Sequence, residues 1–470
     1  MASSIASAMS PASLFLGQRR NLATVQQQAD AGDAQDQFEL ARYYARGLGG
    51  APQDTHEAAR WLEKAAKQGH EVAQRDLALY LDALSDSSEF TGSHSRRAEA
   101  LSWLRRSSHQ GYAPALDDLG LCYVEGKGVA QDFSTAYDLF AKAAQQGLDN
   151  AEWNLSQCYF HGRGCDVSHK QAVLWATKAS KQNHPQAQYF LGQIYSVNNK
   201  SNDGSPGIIK PNSTQSLYWM EQSAIQGYDL AQVALGNFYL HGVEGMNKSL
   251  HSRLRTAAQW FAKAAAQDNA EGQYQLGLCH EQGLGVSSKN LERAVDLFQQ
   301  AAKQGLPDAQ YALGMCYLKS VQEKHAIPWL QSAAQQGHSK AQHQLARLHK
   351  REGPSSSPGS EKDNSSDQIM QWLHSAAAQG KVDAQHDLAV EYEQQGRLEM
   401  AMKWYARATS LGYTPADGAM GRLAERLKSS TGRDSSPDAQ AALSYYYQQG
   451  LVQRKLLAIQ KESRMMYGHC

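Results

Sequence analysis

Tryptophan recurs in this chain at one position of a repeated pattern, and a glycine, asparagine or aspartate follows each time eight residues later. Eight of the nine tryptophans hold this position: Trp61, Trp103, Trp175, Trp219, Trp260, Trp329, Trp372 and Trp404. The ninth, Trp153, lies elsewhere in its repeat. A pattern that recurs in register predicts stacked helical units, each touching only its neighbours, instead of a single globular core.

Each unit consists of two predicted helices, and it is convenient to number it from an anchor residue in the first helix. The anchors are Asp36, Ala73, Ala115, Ala151, Ala187, Ala231, Gly272, Ala309, Ala341, Ala384 and Ala416. Successive anchors are 32 to 44 residues apart, yet each of the eight tryptophans precedes the next anchor by 12 residues. The variation in length therefore falls between the two helices of a unit.

The first helix carries small or apolar residues at the anchor and four, five and eight residues beyond it, as in Ala115, Leu119, Gly120 and Tyr123. This spacing places them on one helical face. The small residue after the leucine predicts that two backbones approach closely there.

The second helix is predicted to begin after a residue whose side chain accepts from free backbone amides, seven residues before the tryptophan position. These N-cap candidates are Asp54, Asp132, Ser168, Asn212, Asn290 and Ser365. The helix then runs through Ala-Ala and ends at a glycine, or at Asn183 or Asp268, because these residues tolerate the left-handed conformation that ends a helix.

The pattern resembles the Sel-one-like repeat (SLR) family, relatives of tetratricopeptide repeats. The stretch from Ala115 to Gly147 matches nearly every element of the family consensus, including Gly126, Gly128 and Asp132. The resemblance covers about ten units between Asp36 and Gly412. It implies an all-α fold, an α/α solenoid in which antiparallel helix pairs stack into a right-handed superhelix and the first helices line the concave surface.

Three regions follow from this reading. Residues 1–31 form a flexible N-terminus with a degenerate half-repeat from Leu22 to Gly32, residues 32–427 the array, and residues 428–470 a C-terminal linker with capping helices. Glycine, proline and serine mark insertions at 82–95, 198–214 and 353–366. The insertions are expected to be surface decoration, with phosphorylation or docking at the serines near Ser355 as the alternative.

Composition excludes several classes of function. Lys+Arg and Asp+Glu both number 46, so no net charge attracts nucleic acid, and no apolar run is long enough to span a bilayer. Four of the six cysteines, Cys122, Cys158, Cys279 and Cys316, share one repeat position and are predicted to be small buried residues. This favours a reducing compartment over a disulfide framework.

No catalytic motif accompanies the repeats. The histidines lack metal-ligand spacing, and the chain contains no nucleophile elbow, phosphate loop or dinucleotide fingerprint. We therefore expect no metal, no cofactor, no small-molecule substrate and no enzymatic activity. A hydrolase resembling cysteine-rich bacterial members of the family is a weaker alternative, because their cysteine pair in each repeat is missing.

The predicted function is a scaffold or adaptor that binds a protein or peptide along the concave surface. Specificity should reside in first-helix positions not needed for packing, which in the central units include Asn154, Gln157, His161, Gln193, Asn237, His241 and Gln275. Each could also be an ordinary exposed polar residue.

The expected location is the cytoplasm. The stretch from Met1 to Ala29 lacks Asp and Glu and contains Arg19 and Arg20, which is typical of a weak organellar presequence. A mitochondrial stress or assembly factor built on the same scaffold is therefore the alternative.

Overall fold

The chain is all-helical in the computed structural model, which describes residues 21–85, 93–196, 211–242, 249–320, 322–352 and 362–429, together with residues 445, 448 and 452. These ranges contain 22 α-helices and no strand. The helices pack in sequence as pairs, which confirms the prediction of an α/α solenoid.

Contacts between Cα atoms divide the chain into two compact units, which are described separately. Unit 1 comprises residues 1–238 and 243–246, and unit 2 comprises residues 239–242 and 247–470. The boundary falls inside helix α12, so α1 to α11 belong to unit 1 and α13 to α22 to unit 2.

The helices of the first half are α1 (Leu22–Asp30), α2 (Ala34–Arg46), α3 (Thr55–Lys67), α4 (Glu71–Ser85), α5 (Ser93–His109), α6 (Ala113–Glu125), α7 (Phe133–Gln145), α8 (Asp149–His161), α9 (His169–Lys181), α10 (Pro185–Ile194), α11 (Ser213–Ile225) and α12 (Asp229–His241). Even-numbered helices are the first helices of their repeats. Odd-numbered helices are the second helices.

The second half continues with α13 (Leu250–Ala265), α14 (Ala270–Gln282), α15 (Leu291–Lys303), α16 (Pro307–Lys319), α17 (Glu323–Gln335), α18 (Ser339–Glu352), α19 (Lys362–Ala378), α20 (Val382–Gln394), α21 (Leu398–Ser410) and α22 (Thr414–Ser429). The same alternation of first and second helices holds. Successive helices pack against one another from α1 to α11 in unit 1 and from α13 to α22 in unit 2, more extensively within a repeat than between repeats.

Helix boundaries follow the predicted caps with one exception. The side chains of Asp54, Asp132, Ser168, Asn212 and Asn290 accept from backbone amides in the first turn of their helices. Ser365 is not a cap, because it lies inside α19. At the closing positions Asn183 and Asp268 are left-handed, with φ of 68° and 59°, like the glycines that they replace.

The glycine after the repeat leucine makes room for the second helix of its repeat. A Cβ on Gly120 would lie 2.6 Å from the Phe140 ring, and one on Gly277 would lie 2.6 Å from the Phe298 ring. Phe140 and Phe298 are almost completely buried. A Cβ on Gly314 would lie 3.4 Å from a backbone oxygen of the second helix. The missing side chain therefore admits a large ring at the first two positions, and at the third the two backbones approach closely, as predicted.

The insertions are shorter than predicted where the structure describes them. Helix α4 includes residues 82–85, α5 begins at Ser93, α11 begins at Ser213 and α19 begins at Lys362. These stretches extend the flanking helices by up to a turn. The remaining residues of the three insertions, including Ser355, lie outside the described residues, as do residues 1–20 and most of residues 430–470.

Glutamine side chains join successive repeats within each unit. One glutamine follows the anchor in the first helix, and seven of these donate Nε2 to the carbonyl oxygen eight residues earlier: Gln37, Gln74, Gln188, Gln232, Gln310, Gln342 and Gln385. A second glutamine, just before the closing glycine of a second helix, donates Nε2 to the first. Gln110 and Gln74, 2.8 Å apart, are one such pair, and Gln336 and Gln310, 2.9 Å apart, are another. We call this set the glutamine ladder.

Candidate partner-binding surface

The seven predicted binding residues occupy three repeat positions: three, six and ten residues beyond the anchor of a first helix. We call these positions the first-helix stripe. In α8 they are Asn154 and Gln157, which are half-buried, and His161, which is exposed. The neighbouring residues Leu155, Ser156 and Cys158 are buried. The stripe is thus the part of the first helix that packing leaves accessible.

Four of the predicted residues lie on α8 and α10 in unit 1, and their surroundings differ. Asn154 donates from Nδ2 to Asp117 Oδ1 at 2.8 Å, so its amide connects two repeats. Gln193 is exposed and donates to the Tyr189 hydroxyl at 2.8 Å. The Nε2 atom of Gln157 is buried and has no hydrogen-bond partner among the described residues. His161 is exposed and lies edge-on to the Phe160 ring.

The remaining three lie on α12 and α14. Asn237 belongs to unit 1 and is half-buried, whereas His241 belongs to unit 2 and is exposed. Gln275, also in unit 2, donates from Nε2 to Glu271 Oε1 at 2.7 Å. Asn154, Gln157, His161 and Gln193 therefore lie on the first helices of adjacent repeats in one unit. The role of all seven in binding stays a prediction.

Aromatic contacts support the central part of the stripe. The Trp153 ring lies 5.5 Å from the Phe190 ring and 5.8 Å from the His184 ring, measured between centroids. The Phe160 and Phe190 rings are 5.1 Å apart in an edge-to-face arrangement. These contacts between α8 and the next repeat hold the stripe on a packed, rigid base.

A group of carboxyls lies beside the stripe on α4 and α6. Arg75 Nε donates to Asp118 Oδ2 at 2.6 Å, and Arg75 Nη1 lies 3.4 Å from Asp76 Oδ1. Burial raises the pKa of Asp76 to about 6 and that of Asp117 to about 7. Both side chains have less than a tenth of their surface exposed. Arg75 therefore contacts two of the three carboxyls, and burial favours the protonated forms of Asp76 and Asp117.

A small cavity opens beside this group, between α4, α5 and α6. It has a volume of about 180 Å³, with Leu79, Leu101, Leu104 and Leu121 among its lining residues. Polar side chains, including Asp118 and Glu125, complete the lining. We call it the unit 1 cavity.

Unit 2 contains a second polar group, on α18 and α20. His343 Nε2 lies 2.7 Å from Asp387 Oδ2, and His386 Nδ1 lies 3.3 Å from Asp387 Oδ1. Hydrogen bonds from these histidines hold the pKa of Asp387 well below its usual range, despite partial burial of the carboxyl. A cavity of about 430 Å³ adjoins this carboxylate and has Arg347 and Lys350 in its wall.

The cysteine thiols lack the surroundings of a nucleophile. Burial raises the pKa of Cys122 and of Cys279 to about 11, and that of Cys158 to about 12. A thiol is reactive chiefly as the thiolate, so these side chains stay protonated and inert at neutral pH. Within the described ranges no cluster of three His, Cys, Asp or Glu residues could hold a metal ion, and no helix is long and apolar enough to cross a membrane.

The family model for the Sel1 repeat matches ten segments: residues 34–70, 113–148, 149–184, 185–228, 229–269, 270–306, 307–338, 370–381, 382–413 and 437–459. These segments make up well over half of the chain. The chain belongs to the Sel1-repeat family. The resemblance to SLR proteins is thereby confirmed.

The match at 437–459 falls in the region predicted as capping helices, where Pro437-Asp-Ala-Gln440 repeats the start of α16. Sel1-repeat character therefore extends beyond the array predicted from sequence.

A solved structure with the SLR fold superimposes on nearly the whole chain. A protective antigen of uropathogenic Escherichia coli, c5321, is 26% identical, covers 94% of each chain and superimposes with a TM-score of 0.65. A Sel1 repeat protein from Oxalobacter formigenes is 28% identical over 64% of this chain and 80% of that one, with a TM-score of 0.49.

A curated relative resembles only part of the chain. Chitin synthase regulatory factor 3 of Schizosaccharomyces pombe is 36% identical over 74 residues, which is 16% of this chain and 8% of that protein. The match spans under a tenth of the relative's length.

The glutamine ladder and the bond between Arg75 and Asp118 were not predicted from the sequence. The glutamine ladder is visible in the sequence as Ala-Gln after many anchors and Gln-Gly at many closing turns, for example at Ala73-Gln74 and Gln110-Gly111. The bond between Arg75 and Asp118 joins residues 43 positions apart, and no repeated pattern points to it.

Proposed function

We propose that this Sel1-repeat protein is a scaffold that binds a protein or peptide partner along its first-helix stripe. The observation that carries the proposal is the position of the stripe. Its exposed members, such as His161 and Gln193, are attached to helices whose other faces are buried in repeat packing. Polar side chains on a rigid base lose little conformational freedom when a partner binds.

The central stripe also has unused hydrogen-bonding capacity. The Nε2 atom of Gln157 is buried and has no partner among the described residues, and leaving such a donor unsatisfied costs about 1–3 kcal/mol. An extended peptide presents a carbonyl oxygen at regular intervals, so its backbone could accept from amides spaced along successive repeats. This supports binding of a peptide segment by α8 and α10.

We propose that the scaffold is non-catalytic. The raised pKa values of the buried thiols and the structural roles of Asn154 and of the capping Asp132 support this view. The name of the yeast relative, a regulatory factor of chitin synthase, is consistent with action through another protein. Cytoplasmic location, with a mitochondrial alternative, stays a prediction.

The test compares two surfaces of the same repeats in affinity capture from the cells that make this protein. A first-helix variant carries His161→Ala and Gln193→Ala, and a second-helix variant carries Lys170→Ala and Leu174→Ala, which are exposed on α9. We expect a recurrent partner that the first-helix variant loses and the second-helix variant retains.

Photo-crosslinking distinguishes a direct contact from an indirect effect. A photoreactive amino acid at position 193 should crosslink the partner, and the same probe at position 174 should not. Crosslinking from position 174 alone, or loss of the partner from the second-helix variant alone, would refute binding along the stripe. Turnover of a small molecule by the purified protein would refute the non-catalytic assignment.

A further inference from the structure

The first helices α8 and α10 carry few charges, although 20% of the residues in the chain are charged. Helix α10 contains no Asp, Glu, Lys or Arg. Helix α8 contains Asp149, in its first turn, and Glu152, which is buried. Partial burial lowers the pKa of His161, which favours the neutral imidazole at pH 7. An uncharged partner therefore fits this part of the first-helix stripe better than an acidic or a basic one.

Two aromatic side chains share a side of their helices with stripe residues. Trp153, which lies outside the tryptophan register, and Tyr189 each lie two residues beyond an anchor. Gln157 and Gln193 follow them by four residues, and residues four apart lie on the same side of a helix. Both rings are only partly buried. Helices α8 and α10 therefore each present an aromatic ring beside a side-chain amide.

Contacts with the next repeat fix the orientation of these two rings. The Trp153 ring packs edge-to-face against the Phe190 ring at 5.5 Å, and the Tyr189 ring packs against the Tyr228 ring at 5.4 Å, measured between centroids. A partner that binds to the exposed part of either ring does not have to order it first. The rings thus form a preformed apolar surface.

Hydrogen-bond donors beside the rings have no acceptor in the structure. The Tyr189 hydroxyl accepts from Gln193 Nε2 at 2.8 Å, and its own proton has no acceptor within the described ranges. Among the same residues, the buried Nε2 atom of Gln157 has no partner. The Gln157 side chain as a whole is only half-buried, so a change in its side-chain torsions exposes this amide. A ligand that offers carbonyl oxygens would satisfy both donors.

A proline-rich segment combines these properties. Proline has no backbone N–H, so such a segment offers carbonyl oxygens and few competing donors. In the polyproline II conformation it has three residues per turn, and residues three apart lie on one side about 9 Å from each other. Packed helices lie about 8–10 Å apart, and α8 packs against α10 through Trp153 and Phe190. Prolines three residues apart therefore match the spacing of rings on successive first helices.

We propose that α8 and α10 bind an uncharged, proline-rich segment of a protein partner in the polyproline II conformation. One proline packs on the Trp153 ring, and a proline three residues away packs on the Tyr189 ring. Backbone carbonyl oxygens of the segment accept from Gln157 Nε2 and from the Tyr189 hydroxyl. This inference rests on the proposed function and specifies the chemistry of the partner.

The test measures binding of short fluorescent peptides to the full-length protein by fluorescence anisotropy. The first peptide has proline at every third position and serine or glutamine between the prolines. A second replaces each proline with alanine, and a third has the composition of the first with the prolines at irregular spacings. We expect the first to bind most tightly. Its affinity should change little with salt concentration, because no ion pair forms.

Variants at one repeat position locate the binding site. Tyr189→Ala should weaken binding of the first peptide roughly tenfold, because it removes an apolar surface that proline covers. The matched control is Tyr311→Ala in unit 2, since Tyr311 also lies two residues beyond its anchor and packs on a ring of the next repeat, that of His338. The control should change the affinity less than about twofold, because the two sites are independent. Circular dichroism verifies that each variant is folded.

Two conservative variants test the hydrogen bonds without removing a ring. Tyr189→Phe keeps the ring and should weaken binding about threefold, because it loses one donor. Gln157→Leu should weaken binding by about the same factor and raise the unfolding temperature of the free protein, since it removes a buried donor that has no partner within the described part of the chain. A purely structural role for Gln157 would leave the affinity unchanged.

Equal affinity for the proline and alanine peptides would overturn the inference, and so would equal effects of Tyr189→Ala and Tyr311→Ala. Affinity that falls steeply with salt would also overturn it, because binding would then depend on charge. A natural partner that is lost with His161→Ala and Gln193→Ala, but is not displaced by an excess of the first peptide, would leave the scaffold function intact and refute only this inference. A partner that the peptide displaces supports both proposals.

Discussion

At the scale of single residues, neighbours in sequence have different surroundings in this protein. Asp117 and Asp118 are adjacent on α6, but Asp117 is buried against the Asn154 amide, whereas Asp118 pairs with Arg75 at 2.6 Å. Burial disfavours the charged form of Asp117 and raises the pKa of its carboxyl. Removing the carboxyl from one position or from the other should therefore affect stability differently.

We predict that Asp117→Asn stabilises unit 1 at pH 8 and has little effect at pH 4. The pKa of Asp117 is raised from near 4 to about 7, so its favourable contribution is present at low pH and is lost as the pH rises through about 7. A shift of this size corresponds to roughly 4 kcal/mol. Chemical denaturation of the wild type and the variant between pH 4 and pH 8 measures the difference.

The matched control is Asp118→Asn, which should destabilise the protein at pH 8, because it leaves Arg75 without its main partner. If the free energy of unfolding depends on pH in the same way in the wild type and in Asp117→Asn, then burial does not raise the pKa of Asp117.

A second prediction concerns the glycine that makes room for a ring. Gly277→Ala should destabilise unit 2 by about 1–3 kcal/mol, because the new Cβ would lie 2.6 Å from the Phe298 ring. The control is Gly421→Ala on α22, where a Cβ meets nothing within 4 Å. It should be neutral or stabilise by about 0.5–1 kcal/mol, since alanine favours the helix. Thermal unfolding of both variants measures the difference. Equal changes in the unfolding temperature would show that the Phe298 ring does not require a glycine at position 277.

At the scale of helices, the glutamine ladder links neighbouring repeats. The closing-turn glutamine satisfies the side-chain oxygen of a first-helix glutamine, as Gln379 does for Gln342. The ladder stops at Gln385, whose buried Oε1 has no partner among the described residues, because Leu411 occupies the position of the next donor. Leu411 is 54% exposed, so its side chain contributes little packing.

We predict that Leu411→Gln stabilises unit 2 by about 0.5–1.5 kcal/mol, since it restores a donor to Gln385 and removes an exposed apolar side chain. Removal of an existing link by Gln379→Ala should destabilise the unit by a similar amount. Guanidinium unfolding of the two variants and of the double variant measures both effects. A Leu411→Gln variant no more stable than the wild type would show that Gln385 is not the missing acceptor.

At the scale of the whole molecule, the repeats predict that stability is local. Successive helices pack against one another within each unit, so strain in one repeat reaches adjacent repeats first. Unit 1 and unit 2 each contain their own buried core. A change in one repeat should therefore alter opening of that region without altering distant ones.

We predict that Gly120→Ala, which would place a Cβ 2.6 Å from the Phe140 ring, speeds amide hydrogen exchange in α6, α7 and the helices next to them. Exchange in α20 and α21 should remain as in the wild type. Hydrogen exchange read by mass spectrometry resolves these peptides. Uniformly faster exchange throughout the chain would contradict local stability and show that the protein opens as one cooperative body.

The sequence by itself determined the helical array. Helix pairs, caps at positions such as Asp54 and Asp132, and closing residues such as Asn183 all depend on contacts within a few residues, and these recur in register. The spacing of apolar residues also predicted where the first-helix stripe lies, because helical periodicity fixes which face of the helix is buried.

Only the tertiary structure decided which side chains meet between repeats. The bond from Arg75 to Asp118 and the ring of Phe140 over Gly120 join different helices, and spacing along the sequence does not specify such contacts. The extent of α4 and α19 into the predicted insertions likewise depends on packing that stabilises an extra turn. Local chemistry set the repeat, and side-chain contacts between neighbouring helices decided which polar groups are paired or buried beside the candidate binding surface.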